Sequence, residues 1–316
     1  WEAAERLYRQ SLQLREELGD RAGMASSWGE LGDIERNRGN WEAAERLYRQ
    51  SLQLREELGD RAGMASSWGE LGDIERNRGN WDAAERLYRQ SLQLREELGD
   101  RAGMASSWGL LGDIERNRGN WEAAERLFRQ SLQLREELGD RAGMATSWGV
   151  LGDIERNRGN WDAAERLYRQ CLQIEEELGD RAGMASSWGV LGDIERNRGN
   201  WDAAERLYRQ SLQLREELGD RAGMASSWGS MGENELLRGN LELAEVYSKQ
   251  GLQMAEEVGD TYLAAQIHWD LARLYQQRNN RTLAQQHYEN AHQIFTQLGA
   301  KKDVEKIERE WRDFRF

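Results

Sequence analysis

In the segment that follows Asn40, apolar and small residues fall at Ala44, Leu47, Tyr48, Ser51, Leu54 and Leu58, the three-and-four spacing of one helical face. The opposite face carries Glu42/Arg46 and Glu45/Arg49, acid before base four residues apart. Asn40 is expected to cap this helix at its start, and Gly59 to end it in a left-handed conformation. Asp60 then caps a second helix, whose stripe uses Met64, Trp68, Leu71 and Ile74 and stops at Gly79. Gly72 removes a side chain late in that helix, where two helices would cross closely. No segment alternates with period two, so no strand is expected. The chain contains no proline, which leaves the punctuation to glycine.

The helix pair repeats every 40 residues, and such a period decides the fold before local propensity does. Trp1–Asn40 recurs unchanged as Trp41–Asn80, and with few changes from Trp81, Trp121, Trp161 and Trp201. Copies from Leu241 and Arg281 have diverged but keep the spacing. Such near-identity fits recent duplication and deliberate construction equally well. One hairpin cannot bury its own apolar face, so stacked neighbours must cover it, with Trp28, Trp41 and their copies supplying most of the contact. The expected fold is an all-α solenoid of antiparallel helix pairs, with helices near 1–18, 22–38 and 41–58 and then every 40 residues. Residues 1–300 form about eight repeats, the first lacking its helix A. Residues 301–316 place Val304, Ile307, Trp311 and Phe314 on one face and read as an amphipathic capping helix. A start at Trp1 without a cap, and a capped end, point to the C-terminal array of a longer protein. The face Ala4, Leu7, Tyr8, Ser11 would then be open and available for self-association.

Trp28-x2-Leu31-Gly32, followed by Gly39-x-Trp41-x2-Ala44-x3-Tyr48-x2-Ser51, resembles the tetratricopeptide repeat, and the match recurs along nearly the whole chain. The period of 40 rather than 34, with its "LGDRAG" connector, is similar to the repeats of Pins-type polarity adaptors and of bacterial sensor arrays. Two residues depart from the family pattern: the terminal proline is missing, and the tyrosine late in helix A is Glu35, regained only as Tyr275. The glutamate is expected to reach a groove or to pair with a helix-B arginine. The resemblance implies a right-handed superhelix with helix A of each pair on its concave wall. Groove positions then map onto Ser26, Gly29, Asp33, Arg36 and Asn37 and their copies. The implied peptide-binding ladder is Asp33, Arg36, Asn37, Asp73, Arg76, Asn77, Asp113, Arg116, Asn117, Asp153, Arg156, Asn157, Asp193, Arg196 and Asn197. A neighbouring position varies as Glu30, Glu70, Leu110, Val150, Val190 and Ser230, by selection or by drift. Where the repeat breaks, Leu236, Leu237 and Trp269 form a candidate apolar hot spot. The alternative is that they pack between helices or under the C-terminal helix; burial decides.

Charge and composition narrow the function. The chain has 316 residues, 57 acidic against 44 basic, and a net charge of -13. Nothing in that balance suits a phosphate backbone, so no nucleic-acid partner is expected. A mean hydropathy of -0.92 and the absence of any long apolar run predict no transmembrane helix and a cytoplasmic location. Cys171 alone closes no intrachain disulfide and occupies a small inward slot filled by serine in other copies, so a packed thiol is expected. His268, His287 and His292 lack metal-ligand spacing, and no phosphate-loop ending follows the glycines, so neither metal nor cofactor is expected. No lysine precedes Lys249, which removes the carboxylate clamp of chaperone-binding relatives. The sequence therefore predicts a non-catalytic scaffold for a protein or an extended polar peptide with some basic side chains. Two alternatives remain: the sensor array of a larger signalling ATPase or transcription regulator, and a structural spacer or designed scaffold without ligand.

Overall fold

The computed structural model describes residues 2–313, and the regular structure among them is entirely α-helical. The chain divides into two compact units, one ending at Ile154 and the other beginning at Glu155. The first contains α1 (Glu2–Leu18), α2 (Arg21–Asn37), α3 (Trp41–Leu58), α4 (Arg61–Asn77), α5 (Trp81–Leu98), α6 (Arg101–Asn117), α7 (Trp121–Leu138) and most of α8 (Arg141–Asn157). The second continues through α9 (Trp161–Leu178), α10 (Arg181–Asn197), α11 (Trp201–Leu218) and α12 (Arg221–Arg238). It ends with α13 (Leu241–Val258), α14 (Thr261–Gln277), α15 (Arg281–Gln297) and α16 (Lys301–Arg312). Within each unit an even-numbered helix packs on the odd-numbered helix that follows it, giving the stack of helix pairs that the repeat predicts.

The boundaries follow from local chemistry. Gly59 closes α3 at φ 69°, a left-handed conformation that glycine adopts without a Cβ penalty. The Asp60 carboxylate then accepts the Gly63 amide at 2.9 Å, satisfying one orphan donor of α4 at a gain of about 1 kcal/mol. Asn40 takes the equivalent position before α3 but makes no side-chain cap. Its amide nitrogen donates instead to Glu35 at 2.7 Å. The same carboxylate accepts Arg38 at 2.9 Å, so the partner of Glu35 is an arginine of the turn and not one of helix B. Arg38 also reaches Glu5 on the preceding helix at 2.6 Å. In the seventh copy Tyr275 stands where Glu35 does, and its hydroxyl donates to Glu245 at 2.7 Å.

The core recurs with the sequence. Ala44, Tyr48, Leu71 and Ile74 form one cluster, and Ala84, Tyr88, Leu111 and Ile114 the next. The fully covered positions are these tyrosines, alanines and isoleucines; Trp28, Trp41, Trp68 and Trp81 stay half-buried at the seams. Gly72 permits the crossing of α4 and α5, because a Cβ there would lie 2.5 Å from Cε1 of Tyr88. Arg55 straps α3 to α4 by donating to the Gly63 carbonyl at 2.7 Å and to Ser67 Oγ at 2.9 Å.

The second unit varies this scheme. On α9 the strap position is Glu175, which accepts from Cys171 Sγ at 3.2 Å and has no proton with which to reach a carbonyl when ionised. On α13 the ring over glycine becomes Ser248, and the backbones of α12 and α13 close in. A Cβ on Gly251 would stand 2.8 Å from the Gly229 amide nitrogen, and one on Gly232 3.0 Å from that of Ser248. Tyr247, displaced by one residue, lies 5.4 Å from the Trp228 ring and accepts from Arg209 at 3.0 Å. Helix α16 lays Ile307 into a cluster with Ala265, Trp269, Ala272, Ala291 and Phe295, with Val304 and Trp311 packed against it. Phe314 lies outside the described residues.

Candidate functional site

The face of α2, α4 and α6 carrying the repeated Asp, Arg and Asn is half-buried and internally paired. Asp33 accepts the Tyr48 hydroxyl at 2.8 Å and pairs with Arg36 at 2.9 Å. Arg36 also spans to Asp73 of the next copy at 3.5 Å. Asp73 in turn accepts the Tyr88 hydroxyl at 2.7 Å and pairs with Arg76 at 3.3 Å, while Asp113 pairs with Arg116 at 2.9 Å. Asp153 is the last of this row in the first unit and is half-buried. Asp33 and Asp73 are thus fixed from behind by tyrosine and from the side by arginine, while in the copy of Asp113 the ring is Phe128, which has no hydroxyl; each of the three carries less free charge than the sequence implies. Asn37, Asn77 and Asn117 lie exposed beside them, Asn117 resting on the carbonyl of Asp113 at 2.8 Å.

The variable position beside this row is where the charge departs from balance. Glu70 is half-buried, and its Oε2 has no hydrogen-bond partner. Burial, opposed by Arg55 and reinforced by Asp33, pushes its carboxyl up to about 7. Leu110, Val150 and Val190 hold the same position without that penalty.

In the second unit Arg156 lies 3.6 Å from Asp193, and Asp193 accepts the Tyr208 hydroxyl at 2.8 Å. Arg196 bridges Asp193 at 3.3 Å and Glu233 at 2.8 Å, with Asn197 exposed beside it. Farther on, Arg273 contacts Asp270 at 3.1 Å and Glu233 at 3.8 Å. Asp193, Arg196, Glu233, Asp270 and Arg273 form one wall of a cavity of about 300 Å³. Leu263, Ile267, Trp269, Phe295 and Ile307 supply apolar lining, and α16 adds Asp303 and Lys306. The Asp270 carboxyl is pushed up to about 7, first by burial and then by the neighbouring charge of Glu233.

Such helix pairs, with alanine, tyrosine and glycine at fixed crossings, carry a family signature. The tetratricopeptide repeat model matches residues 1–57, 63–137, 103–177, 140–217, 183–257 and 220–297. The chain belongs to the tetratricopeptide repeat family. Among solved structures it is similar to the signal-transduction ATPase with a tetratricopeptide repeat sensor from Pyrococcus horikoshii. That match has 17% identity over 95% of this chain and 46% of the other, with a TM-score of 0.75. BtubC from P. vanneervenii is similar at 21% identity, covering 69% of this chain and 92% of that one, with a TM-score of 0.62. The Rap conjugation regulator of plasmid pLS20, solved with the Phr* peptide, is 15% identical over 90% of this chain and 77% of its own, with a TM-score of 0.61. At these identities the likeness is one of fold. No curated protein sequence matches the chain.

Within this tetratricopeptide array the three hot-spot residues do not converge. Leu236 is 2% exposed in a core cluster with Ile267, Leu271 and Leu274, whereas Leu237 is 41% exposed. Trp269 is 5% exposed, in the separate cluster under α16, and alone of the three lines the cavity. The expectation of a shared apolar patch is corrected on that ground: two of the side chains are spent on packing. Sequence reasoning also missed the pairing of His268 with His287, whose Nδ1 atoms lie 2.8 Å apart. Burial and the second imidazole push His268 down to about 4, and His287 stacks on Tyr275. Their spacing of 19 residues becomes meaningful only when α14 packs on α15. Cys171 is buried, and its thiol is pushed up to about 12, first by burial and then by Glu175, which keeps it protonated at neutral pH. Among the described residues no group of three or more His, Cys, Asp and Glu side chains is placed to hold a metal ion. No described helix is long and apolar enough to cross a membrane.

Proposed function

We propose that this tetratricopeptide array is a non-catalytic peptide-binding scaffold whose ligand lies on the helix-A face. The observation that carries the reading is the row of half-buried Asp–Arg pairs flanked by exposed asparagines, repeated from one helix A to the next within each unit. Fixed polar groups at a constant spacing suit the carbonyl and amide groups of an extended main chain. The peptide-bound structure of the Rap regulator supports a peptide as ligand. Because Asp33, Asp73 and Asp193 already hold a tyrosine hydroxyl and an arginine, the row offers a basic side chain little free charge. The test selects peptides from a displayed library against the whole chain and re-measures the best binder after Asn77→Ala, Asn117→Ala and Asn197→Ala. These exposed side chains do not hold the fold, so the triple variant should lose about tenfold or more in affinity. Unchanged binding would refute the reading.

A second reading, as the sensor arm of a signalling ATPase, is favoured by the match to the Pyrococcus horikoshii protein, of which this chain spans about half. Self-association through α1 also has a physical basis. Leu7 is 61% exposed and Leu14 58%, whereas Leu54, the counterpart of Leu14 on α3, is 7% exposed.

A further inference from the structure

We infer that His268 and His287 form a two-imidazole latch that holds α14 against α15 at neutral pH and releases the α15–α16 end of the array on acidification.

The latch stands at positions that are apolar elsewhere. His268 shares the register of Trp188 and His287 that of Leu207, and those two side chains pack against one core cluster. Here the Nδ1 atoms of the two rings lie 2.8 Å apart, so one nitrogen donates and the other accepts. That distance admits one proton between the rings. A first added proton goes to the outer nitrogen of the donor ring, leaves the bond in place and charge-assists it. A second sets N–H against N–H and forces the rings apart. His268 is 8% exposed, and Tyr275 covers one face of His287 at 5.4 Å, so the rings separate only if the seam between α14 and α15 opens.

The surroundings do not absorb a second charge. From α13, Lys249 opposes it and Glu245 favours it. Glu245, the carboxylate that acts on the pair, is already shared. It pairs with Lys249 at 2.6 Å, accepts the Tyr275 hydroxyl at 2.7 Å, and is closed on by Arg278 of the following turn. Among the described residues no group of α12 acts on either ring. On α15 itself, His292 Nε2 lies 2.9 Å from the Glu308 carboxylate of α16. A proton on His292 completes an ion pair there, so acid loosens α14–α15 while tightening α15–α16. The two helices should leave together and take Asp303, Lys306 and Ile307 away from the cavity on the helix-A face.

Burial and then the facing imidazole push His268 down to about 4, below the 6.5 of an imidazole in an opened chain. Between those values the closed seam binds fewer protons than the open one. Its stability is therefore full above pH 6.5 and falls as pH drops toward 4. For one proton, the opening equilibrium should rise about twentyfold from pH 7 to pH 5.

Hydrogen exchange of the whole chain, corrected for the intrinsic rate, measures that opening, and residues 281–312 are unique in sequence, so their peptides can be assigned. Protection in α15 and α16 should fall about twentyfold between the two pH values, with α13 changing far less. In His287→Gln the amide oxygen can accept from a charged His268, so the dependence should shrink to about threefold or less. His268→Trp combined with His287→Leu, which copies residues 188 and 207, should abolish it. In the wild-type chain, ¹⁵N spectra of the three imidazoles at pH 5 should show at most one of the paired rings charged while the seam stays protected. No extra loss of protection at pH 5, a twentyfold dependence that persists in either folded variant, or two charged rings in a protected seam would overturn the inference.

Discussion

The repeats of the first unit and the pairs from α12 onward solve the same packing problem with different parts. From α2 to α7 a tyrosine or phenylalanine ring fills the space over Gly32, Gly72 and Gly112, and the hydroxyl of Tyr48 or Tyr88 reaches forward to an aspartate of the helix-A face. In those two copies one side chain links core and surface. At α12 and α13 the ring is gone, backbone meets backbone across Gly229, Gly232 and Gly251, and the aspartate becomes Glu233, held by arginines alone. The difference teaches that a carboxylate of the regular face is held by a core hydroxyl as well as by arginine, whereas at the diverged end arginine alone holds it.

The sharpest way to break this comparison is to add a methyl group at each crossing. Gly251→Ala should cost about 3 kcal/mol, because the obstacle is the Gly229 backbone and cannot turn aside. Gly72→Ala should cost about 2 kcal/mol or less, since the Tyr88 ring can tilt. Urea unfolding of both variants compares them directly, and a larger loss at Gly72 would contradict the account.

Next in size is the buried carboxyl of the first unit. Its folded value of about 7 lies above the unfolded value of 4.5, so the native state binds more protons between those limits and stability falls as pH rises through them. Glu70→Leu, which copies the residue at 110, should therefore stabilise the chain by about 2 kcal/mol at pH 8. The advantage should shrink as pH falls toward 5. Melting curves at the two pH values test it, and a gain that grows on acidification would show the sign to be wrong.

A smaller effect is expected where the tyrosine links core to face. Tyr88→Phe keeps the ring and removes the hydroxyl that Asp73 accepts, for a loss of about 1 kcal/mol. Position 128 is already phenylalanine, so the same hydroxyl deletion has a natural counterpart one repeat later. The smallest change is expected at α1. Leu14→Glu should leave the unfolding free energy within about 0.5 kcal/mol while reducing any growth of weight-average mass with concentration in sedimentation. Association that persists unaltered would remove α1 as its source.

Much of this fold was legible because it is governed by local rules repeated many times. Asp60 as the cap of the second helix and Gly72 as the gap at a close helix crossing are both legible in the sequence, and both match the structure. Asn40 was misread because an asparagine side chain has two possible employers, and Glu35 wins it through the turn geometry. The ladder residues were found by register with the family, but register says nothing of their partners behind the face. The cavity was illegible for a different reason. It depends on α16 returning beside α14, and on side chains drawn from three separate copies. The variable position at 30, 70, 110, 150, 190 and 230 was the available signal, and its meaning appears only once burial separates Glu70 and Asp270 from surface acids.

The arginine that joins Arg55 to Gly63 and Ser67 has a mechanical consequence. A chain pulled from its ends loads its seams in series, so the seam with the fewest cross-ties yields first. On α11 the tie is present, with Arg215 bonded to Ser227 at 3.0 Å. On α9 Glu175 keeps a hydrogen bond to Ser187 but offers an acceptor where the carbonyl of Gly183 needs a donor, so one of the two ties is lost. Under tension the α9–α10 seam should therefore part before the α11–α12 seam, and Glu175→Arg should raise the force at which it does.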